Sequence, residues 1–336
     1  MSTVIKIYDH RNNRTLDVSN LAFDISIETQ LEEQPTKCTF KLLRAPDLKF
    51  YEGATVSMKF DGFKVFKGYV FVRKYTQNAD EMQVTAYDLL RYLKYEDTYV
   101  YSGKTSDQLF KQICKDYNLK YKIVDKSSFV CPARSEDNTT LYEIIQTALD
   151  QTLINTQKRF IIRDNFGTLE HINVMSLDTK LFIGDESGVT KFDYEISIDK
   201  DVYNQVKLYR DNEDTGKRDV WIINDTATKG KNKGRNLKEW GILQITEEVD
   251  ENYTSAQIKD LAEKMFKYYN QKRRKIKITS LGDFNVRAGS IIYCKFSGYE
   301  NLGKVRRFLV DSCTHTIDNG KHTMQLELEA VSSGWS

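Results

Sequence analysis

The segment SGKT at 102–105 resembles the end of a phosphate-binding loop. Such a loop needs a second glycine five residues before Gly103, because its backbone amides must wrap around the phosphate groups. That position holds Thr98. Thr105 is followed three residues later by Gln108, which is the spacing of a helix capping box. The segment therefore predicts the start of a helix and not a nucleotide site.

Histidines and cysteines are the next candidates for chemistry. The four histidines lie outside any H-E-x-x-H motif: His10, His171, His315 and His322. His315 and His322 flank one hairpin, which could bring them near each other, but two ligands make a poor metal site. The five cysteines have no C-x-x-C spacing: Cys38, Cys114, Cys131, Cys294 and Cys313. We expect strand-face histidines, buried reduced thiols, no metal and no cofactor.

Carboxylates are numerous, as on any solvated surface. A glycosidase is recognised by the separation of two carboxylates in space, which the sequence does not give. No motif indicates catalytic residues, so the sequence predicts a non-enzymatic protein. A peptidoglycan hydrolase stays open as the alternative, together with a cell-wall-binding module.

Two basic segments stand out, KGKNKGR at 229–235 and the cluster Lys272–Lys275. The first lacks the interleaved aromatics that stack on bases, and we interpret it as a solvated or partner-contacting loop. The second is expected at a helix C-terminus, where cations interact favourably with the helix dipole. The net charge of +2 comes from 50 basic and 48 acidic residues. This balance predicts neither nucleic-acid recognition nor attraction to an anionic membrane.

No run of about 18 apolar residues occurs, and the N-terminal MSTVIKIYDH lacks the pattern of a signal peptide. We therefore expect synthesis in the cytosol and no stable membrane insertion. At 336 residues the chain can form more than one core. Its abundant tyrosine and phenylalanine, 20 and 17 residues, suit the pleated faces of β-sheets.

The junction at Asp88 organises the elements. Before it, from Val4 to Tyr87, short alternating segments predict strand after strand, and Asp61-Gly62 is a strong hairpin signal. After Asp88, which is a plausible helix N-cap, the hydrophobic period changes from two to about 3.6. Capping boxes beginning at Thr105, Thr140 and Thr254 predict three further helices. Strands return after each helical stretch and finish the chain.

The two β regions resemble each other. GATVSMKF at 53–60 aligns without gaps on GSIIYCKF at 289–296. In both regions a long strand, a polar turn and a Met-Gln strand follow, the last beginning at Met82 and at Met324. Any two glycine-led alternating strands look somewhat alike, but three features in the same order indicate a duplicated β-domain.

These parts resemble a known family. The junction AYDLLRYLK, the helix TSDQLFKQIC and the segment LINTQKRFIIRDNFGTLEHINV are similar to prophage tail-hub proteins of contractile phage tails and phage-tail-like bacteriocins. The ending LGDFNVRAGSIIYCKF…FLVDSCTHTIDNGKHTMQLELEAV is similar too. The wider group includes the late control D and type VI spike-base proteins. The likeness covers most of the chain, roughly residues 1 to 331, and the basic loop at 229–235 departs from the family pattern.

The resemblance implies an α+β, mainly β fold, with two related β-barrel tube-like domains and helical or mixed α+β insertions. We expect the first tube-like domain at 1–88 and a mixed insertion at 89–190. The second tube-like domain would comprise 191–235 and 276–331, interrupted by a helical insertion at 236–275.

The same resemblance implies a homotrimer, whose three copies present six similar barrels and can join a six-fold tail tube to a three-fold spike. Implied partners are the tail tube protein, the spike protein, and other baseplate and tape-measure proteins. The expected location is a phage virion or bacteriocin particle, assembled in the host cytoplasm. We place the tube and spike contacts on the paired hairpins at Val56–Val70 and Ile291–Val310. The candidate contact residues are Val56, Met58, Phe60, Phe63, Val65, Ile292, Cys294, Phe296, Phe308 and Val310.

Overall fold

A computed structural model describes residues 2–32, 34–212, 216–227, 233–249 and 253–331 of the chain. The predicted α+β, mainly β class is confirmed. The chain forms two compact units. One comprises Met1–Thr152, Lys158–Asp193 and Ile276–Ser336, and the other comprises Leu153–Gln157 and Tyr194–Lys275.

The N-terminal part of the chain is entirely β, as its alternating pattern predicts. Side chains alternate in burial along each strand, so that in β4 Cys38, Phe40 and Leu42 are buried, while Lys37, Thr39 and Lys41 are half-buried. The strands are β1 Thr3–Asp9, β2 Arg14–Asp17, β3 Ala22–Gln30, β4 Lys37–Leu43, β5 Thr55–Phe60, β6 Phe63–Tyr75 and β7 Glu81–Tyr87. Asp61 and Gly62 connect β5 to β6 with φ angles of 46° and 85°, as a type I′ turn requires.

At Asp88 the sheet gives way to helices. Asp88 caps a 3-10 helix, Leu89–Lys94, by accepting a hydrogen bond from the Leu90 amide at 3.0 Å. The elements that follow are β8 Glu96–Tyr101, β9 Lys104–Thr105, α1 Ser106–Asp116, β10 Tyr121–Ile123, β11 Val130–Cys131, β12 Arg134–Thr140, α2 Leu141–Thr156, β13 Phe160–Asp164, β14 Leu169–Asn173 and a 3-10 helix Val174–Leu177. The capping boxes predicted at Thr105 and Thr140 are both present.

The buried faces of α1 and α2 form one core with the β13–β14 hairpin. Leu109, Phe110 and Ile113 of α1 are completely buried there, together with Leu141 and Ile145 of α2. This is the apolar stripe that helical spacing predicts. Burying it is what holds these short helices in place, since isolated helices of such length are marginal in water.

Strands dominate again after the 3-10 helix at 174–177. The remaining elements are β15 Asp178–Gly184, β16 Lys191–Ser197, β17 Gln205–Asn212, β18 Lys217–Asn224, a 3-10 helix Asp225–Ala227, α3 Arg235–Trp240, β19 Gln244–Glu248, α4 Ser255–Tyr269, β20 Arg273–Leu281, β21 Ile291–Lys295, β22 Arg306–Asp318 and β23 Lys321–Ala330. Helix α4 begins at the predicted box, where the Thr254 amide donates to Gln257 Oε1 at 2.8 Å. Of the basic cluster at 272–275, Arg273 onward belongs to β20 and not to the end of α4.

The smaller unit has its own sheet and core. Strands β18, β17 and β19 form a three-stranded sheet, and α4 buries Ile258, Ala262 and Met265 against Val206 and Leu208. The domain prediction grouped 191–235 with 276–331, whereas in the structure β17 and β18 lie with α4 in this separate unit. Of the basic loop at 229–235, residues 229–232 lie outside the described part of the chain.

The large sheet contains both the first and the last strands of the chain. Its order is β16-β20-β23-β22-β3-β4-β7-β6-β5-β1-β2, with β15 pairing to β21 and β21 pairing to β22. The two ends of the sequence meet where β22 pairs antiparallel to β3, with Cys313 opposite Thr29 and His315 opposite Ile27. The two β regions therefore share one sheet.

Candidate functional site

The duplicated glycine-led strands fold in the same way. The Gly53 amide donates to the Val70 carbonyl at 2.8 Å, and the Gly289 amide donates to the Val310 carbonyl at 2.8 Å. In both regions the valine amide then donates to the carbonyl of the residue after the glycine, at 2.9 Å. Both glycines have a left-handed backbone, with φ angles of 83° and 87°. The aligned segments GATVSMKF and GSIIYCKF therefore make the same backbone hydrogen bonds at their glycine turns.

An irregularity in the long strand repeats as well. Strand β6 has one extra residue relative to β7 at Phe71, and β22 has one extra residue relative to β23 at Asp311. Such bulges twist a strand and redirect its edge. Each bulge lies directly after the valine that bonds to the glycine turn. Two unrelated sheets are not expected to share this detail.

Strand order repeats over six strands. The order β3-β4-β7-β6-β5-β1 corresponds to β16-β20-β23-β22-β21-β15. The copies differ at one end, where β1 is antiparallel to β5 but β15 is parallel to β21. The second copy also has a longer connection between its paired strands, residues 296–305 in place of Asp61-Gly62. The predicted likeness of the two β regions thus extends to their topology.

The residue-level prediction of contact side chains needs correction. Eight of the ten candidates are buried inside the chain, none more than 4% exposed: Val56, Met58, Phe60, Ile292, Cys294, Phe296, Phe308 and Val310. Only Phe63 is exposed, at 46%, while Val65 is half-buried. The prediction selected the apolar, inward-facing residue of each alternating pair, and those residues form the core. The hairpins as segments remain a prediction for the contact.

A charged cluster that sequence reasoning missed lies beside the Asp88 junction. The Arg287 guanidinium donates through Nη2 to the Asp164 carbonyl at 2.6 Å. The Asp164 side chain accepts from the Gly167 amide at 2.6 Å and from the Leu89 amide at 3.3 Å. The cluster joins three segments that are far apart in sequence, so no local spacing could reveal it. Only the capping role of Asp88 is visible in the sequence.

Burial sets the protonation of this cluster. It raises the pKa of Asp88 to about 8, and the nearby Asp164 carboxylate contributes to the rise. Burial also raises the pKa of Asp164, while it lowers the pKa of Arg287 to about 10. Two buried carboxyl groups so close together oppose each other's ionisation. At neutral pH Asp88 therefore keeps its proton, while Arg287 is charged.

Two carboxyl groups with different pKa values are also what a glycosidase uses, so the space around them matters. The cleft lined by Lys67, Asp88, Asp164, Phe284 and Arg287 offers about 60 Å³ to water-sized molecules. Ligand pockets are typically several hundred Å³. The cluster is therefore suited to joining β7, β13 and the β20–β21 connection, and the cleft beside it is too small for a glycan.

The histidines have structural partners. His315 and His322 lie together, with His315 Nδ1 and His322 Nε2 separated by 2.9 Å. His315 Nε2 donates to the Val286 carbonyl at 2.8 Å. Burial lowers the pKa of both, that of His322 to about 4, so the pair is neutral at pH 7. Among the described residues no group of three or more His, Cys, Asp or Glu side chains is arranged to hold a metal ion.

The cysteines are free and buried, as predicted. Burial raises the pKa of every one of them, to about 11 for Cys131 and about 12 for Cys114 and Cys294. In the SGKT segment Thr105 caps α1, and its amide donates to Gln108 Oε1 at 3.1 Å. No described helix is both long and apolar enough to cross a bilayer.

Comparisons with known proteins agree with the fold. A model of the family described as YQBQ-like matches residues 25–329. The phage-like element PBSX protein XkdQ of Bacillus subtilis (strain 168) is 26% identical over 321 residues, covering 92% of each chain.

Two solved structures are similar over nearly the whole chain. The 43 kDa tail protein of prophage MuSo2 from Shewanella oneidensis has a TM-score of 0.70 at 13% identity, covering 98% of this chain and 99% of that one. The E. coli c3393 protein, a component of the type VI secretion system, has a TM-score of 0.54 at 10% identity. The match covers 100% of this chain and 76% of c3393. The predicted likeness to prophage tail and type VI spike-base proteins is confirmed.

Proposed function

This chain belongs to the YQBQ-like family, and on that premise we propose that it is a structural baseplate hub, a homotrimer that joins the six-fold tail tube of a contractile injection particle to its three-fold spike. Its fold is that of prophage tail proteins. One relative, XkdQ, is by name a protein of a phage-like element. Both support a structural role in a phage tail or baseplate.

The repeated strand unit is the observation that carries the proposal. Within one chain, β5-β6-β7 and β21-β22-β23 share pairing, glycine turn and bulge. A chain with two such units presents six similar surfaces when three copies assemble about an axis. The same three copies keep three-fold symmetry wherever the units differ, as at β1 and β15. A six-fold ring and a three-fold needle can therefore bind opposite faces of one trimer.

The partners of such a hub are the tail tube protein, the spike protein, and neighbouring baseplate and tape-measure proteins. Its location is the baseplate of a virion or bacteriocin particle after assembly in the host cytoplasm. Interfaces in permanent assemblies bury on the order of 2,000 Å² or more. We therefore expect the trimer to persist on dilution.

The mass of the isolated protein and images of particles lacking it test the proposal. Light scattering should give three times the chain mass of 39.2 kDa. Deleting the coding sequence should leave no particles, or tubes without a base, and supplying the protein should restore them. A monomer at all concentrations, or complete particles without the protein, would refute the hub.

Cell-wall assays separate the hub from the alternatives of peptidoglycan hydrolase and cell-wall-binding module. The hub predicts no clearing in zymograms and no loss of turbidity of cell-wall suspensions. Activity that disappears on substitution of Asp88 and Asp164 would support the hydrolase. A wall-binding module would be peripheral, and its removal would not stop assembly.

A further inference from the structure

Strand β22 has three neighbours. One edge pairs with β23 along most of its length. The other edge is divided: residues 306–309 pair with β21, and residues 312–317 pair with β3 from the other copy of the repeat. The bulge at Asp311 separates the two parts, and its carbonyl accepts from the Leu31 amide at 2.8 Å. The contact between the two copies is therefore a strand addition.

The equivalent edge of β6 carries no such strand. Residues 63–69 pair with β5 and residues 69–75 pair with β7, as in the second copy. Beyond the bulge at Phe71, no strand in the described part of the chain pairs with the edge that β3 occupies on β22. Val72 and Tyr75 are 48% and 53% exposed there.

The matching positions on β22 are covered. Tyr75 lies opposite Met82 as His315 lies opposite Met324, so His315 is the counterpart of Tyr75. His315 is only 3% exposed and lies opposite Ile27 of β3, and Ser312, the counterpart of Val72, is half-buried. An unpaired strand edge with exposed apolar side chains is a template for another strand. Within the described residues, the first copy of the repeat therefore has a free strand edge on β6, whereas the equivalent edge of β22 in the second copy is already paired with β3.

The repeat also indicates which strand fills it. Strand β3 is the one that crosses between copies, and its counterpart in the second copy is β16, the terminal strand of the sheet order. In one chain, six strands lie between β16 and β6: β20, β23, β22, β3, β4 and β7. Strand β16 of the same chain therefore cannot pair with β6, but β16 of a second chain can.

We propose that the edge Val72–Tyr75 receives β16 of a second copy of this chain, in antiparallel strand addition, and that three such contacts close a ring. The contact reproduces between chains what β3 and β22 do within one. This inference rests on the proposed trimer and specifies its interface, which we call the β6–β16 contact.

Charge on the two strands is complementary. The β6 edge carries Lys74, next to Arg73, whose Nε donates to Glu52 Oε1 at 2.8 Å, whereas β16 carries Asp193 and Glu195 after Lys191. Lys74 takes the position of Thr314, since each lies opposite a glutamine of the next strand. Within the chain, Thr314 lies opposite Glu28. The counterpart of Glu28 should therefore lie opposite Lys74.

Counting residues along the aligned strands selects Glu195 as that counterpart. The Arg44 amide donates to the Asp80 carbonyl at 2.8 Å, and the Gly282 amide donates to the His322 carbonyl at 3.0 Å, which aligns β4 with β20. On that alignment, the Thr190–Thr279 hydrogen bond of 2.8 Å corresponds to the Phe23–Lys41 pair. Glu195 follows Thr190 by as many residues as Glu28 follows Phe23, a count that crosses the register shift of β3 between Phe23 and Ser26. The alternation of burial agrees with the count, because Glu28 follows buried Ile27 and Glu195 follows half-buried Tyr194. Oppositely charged cross-strand pairs stabilise a sheet, and like charges oppose it.

Charge exchange tests the β6–β16 contact. Lys74→Glu and Glu195→Lys should each raise the dissociation constant of the trimer at least tenfold in light scattering, and the double variant should recover most of the loss. Lys111→Glu, an exposed charge on α1, is the matched control and should leave the mass unchanged.

A backbone variant tests the strand addition itself. The Tyr75 amide faces the proposed partner, as that of His315 faces β3, so Tyr75→Pro removes one bond of the new ladder. Tyr75→Ser loses the same side chain but keeps the amide. We expect Tyr75→Pro to be a folded monomer by circular dichroism and Tyr75→Ser to remain a trimer.

The outcomes separate the contact from the hub. A wild-type trimer whose mass none of Lys74→Glu, Glu195→Lys and Tyr75→Pro alters would overturn the β6–β16 contact and leave the hub in place. A wild-type monomer would overturn both.

Discussion

At the scale of single residues, the buried acid Asp88 makes stability depend on pH. Between pH 4 and 8 the folded chain holds a proton on Asp88, whose pKa is about 8, while the unfolded chain has released it. The folded state thus binds more protons, and this contribution to stability falls as pH rises through that window.

Asp88→Asn should remove that loss, because the amide oxygen can still cap the Leu90 amide and carries no charge at any pH. We expect the variant to gain more than about 1 kcal/mol over the wild type between pH 5 and pH 8, in the direction that a raised pKa requires. Thermal unfolding at several pH values measures it. Parallel curves for the two proteins would contradict the assigned protonation.

The duplicated glycines provide a matched pair of substitutions. A Cβ on Gly53 meets nothing within 4 Å, whereas a Cβ on Gly289 would lie 2.3 Å from Cδ1 of buried Ile161. Both alanines pay for a left-handed backbone, about 1–2 kcal/mol. Gly289→Ala should cost about 1 kcal/mol more than Gly53→Ala, because its neighbour is packed. Chemical denaturation of both variants compares them, and equal losses would contradict this account.

Local chemistry at single residues could be predicted from the sequence where the partner is close by. The cap at Asp88 and the boxes at Thr105, Thr140 and Thr254 depend on residues three or fewer positions away. The side chains that contact partner proteins could not be predicted in this way. Alternation shows which residues share a face of a strand, but not whether that face packs into the chain's own core.

At the scale of elements, the hairpin at Asp61-Gly62 depends on positive φ angles. Asp61→Pro with Gly62→Val should destabilise the β5–β6 pair by more than about 2 kcal/mol, since proline fixes φ near −65° and valine avoids φ of 85°. Asp61→Asn should be tolerated, because Asn-Gly suits this turn. Urea denaturation measures both, and a stable double variant that still assembles would contradict a structural role for the hairpin.

Helix α4 depends on its cap. Thr254→Ala removes the hydroxyl that accepts from the Gln257 amide at 3.3 Å and should cost about 1 kcal/mol. Thr254→Ser keeps the acceptor and should cost little. Hydrogen exchange of the amides in 255–269 reports the loss, which should be confined to the small unit. Equal protection in both variants would show that packing alone holds the helix.

Element type was predictable from the sequence, but element partners were not. Hairpins and capped helices follow from short-range patterns, and the glycine-led repeat predicted the equivalence of β5 and β21. Strands β17 and β18 have the same alternation as tube strands, so the sequence placed them with 276–331. Their true partners, β19 and α4, are chosen by long-range packing.

At the scale of the whole molecule, the duplication and the family likeness could be predicted from the sequence, because both depend on motifs that occur in a fixed order. The pairing of β22 with β3 could not be predicted, because it joins residues nearly three hundred positions apart. That pairing depends on a register that no local pattern encodes. It is also the pairing from which the β6–β16 contact follows.

The β3–β22 pairing has a consequence for synthesis. Strand β3 is made early, yet its outer edge stays bare until residues 312–317 leave the ribosome. Non-local pairing of this kind slows folding, and until it forms the unpaired strand edge is prone to aggregation. A chain stopped after residue 305 should accumulate as aggregates in a solubility assay, whereas one stopped after Val331 should not. The chain can therefore assemble with other chains only after its last strands have been made and β22 has paired with β3.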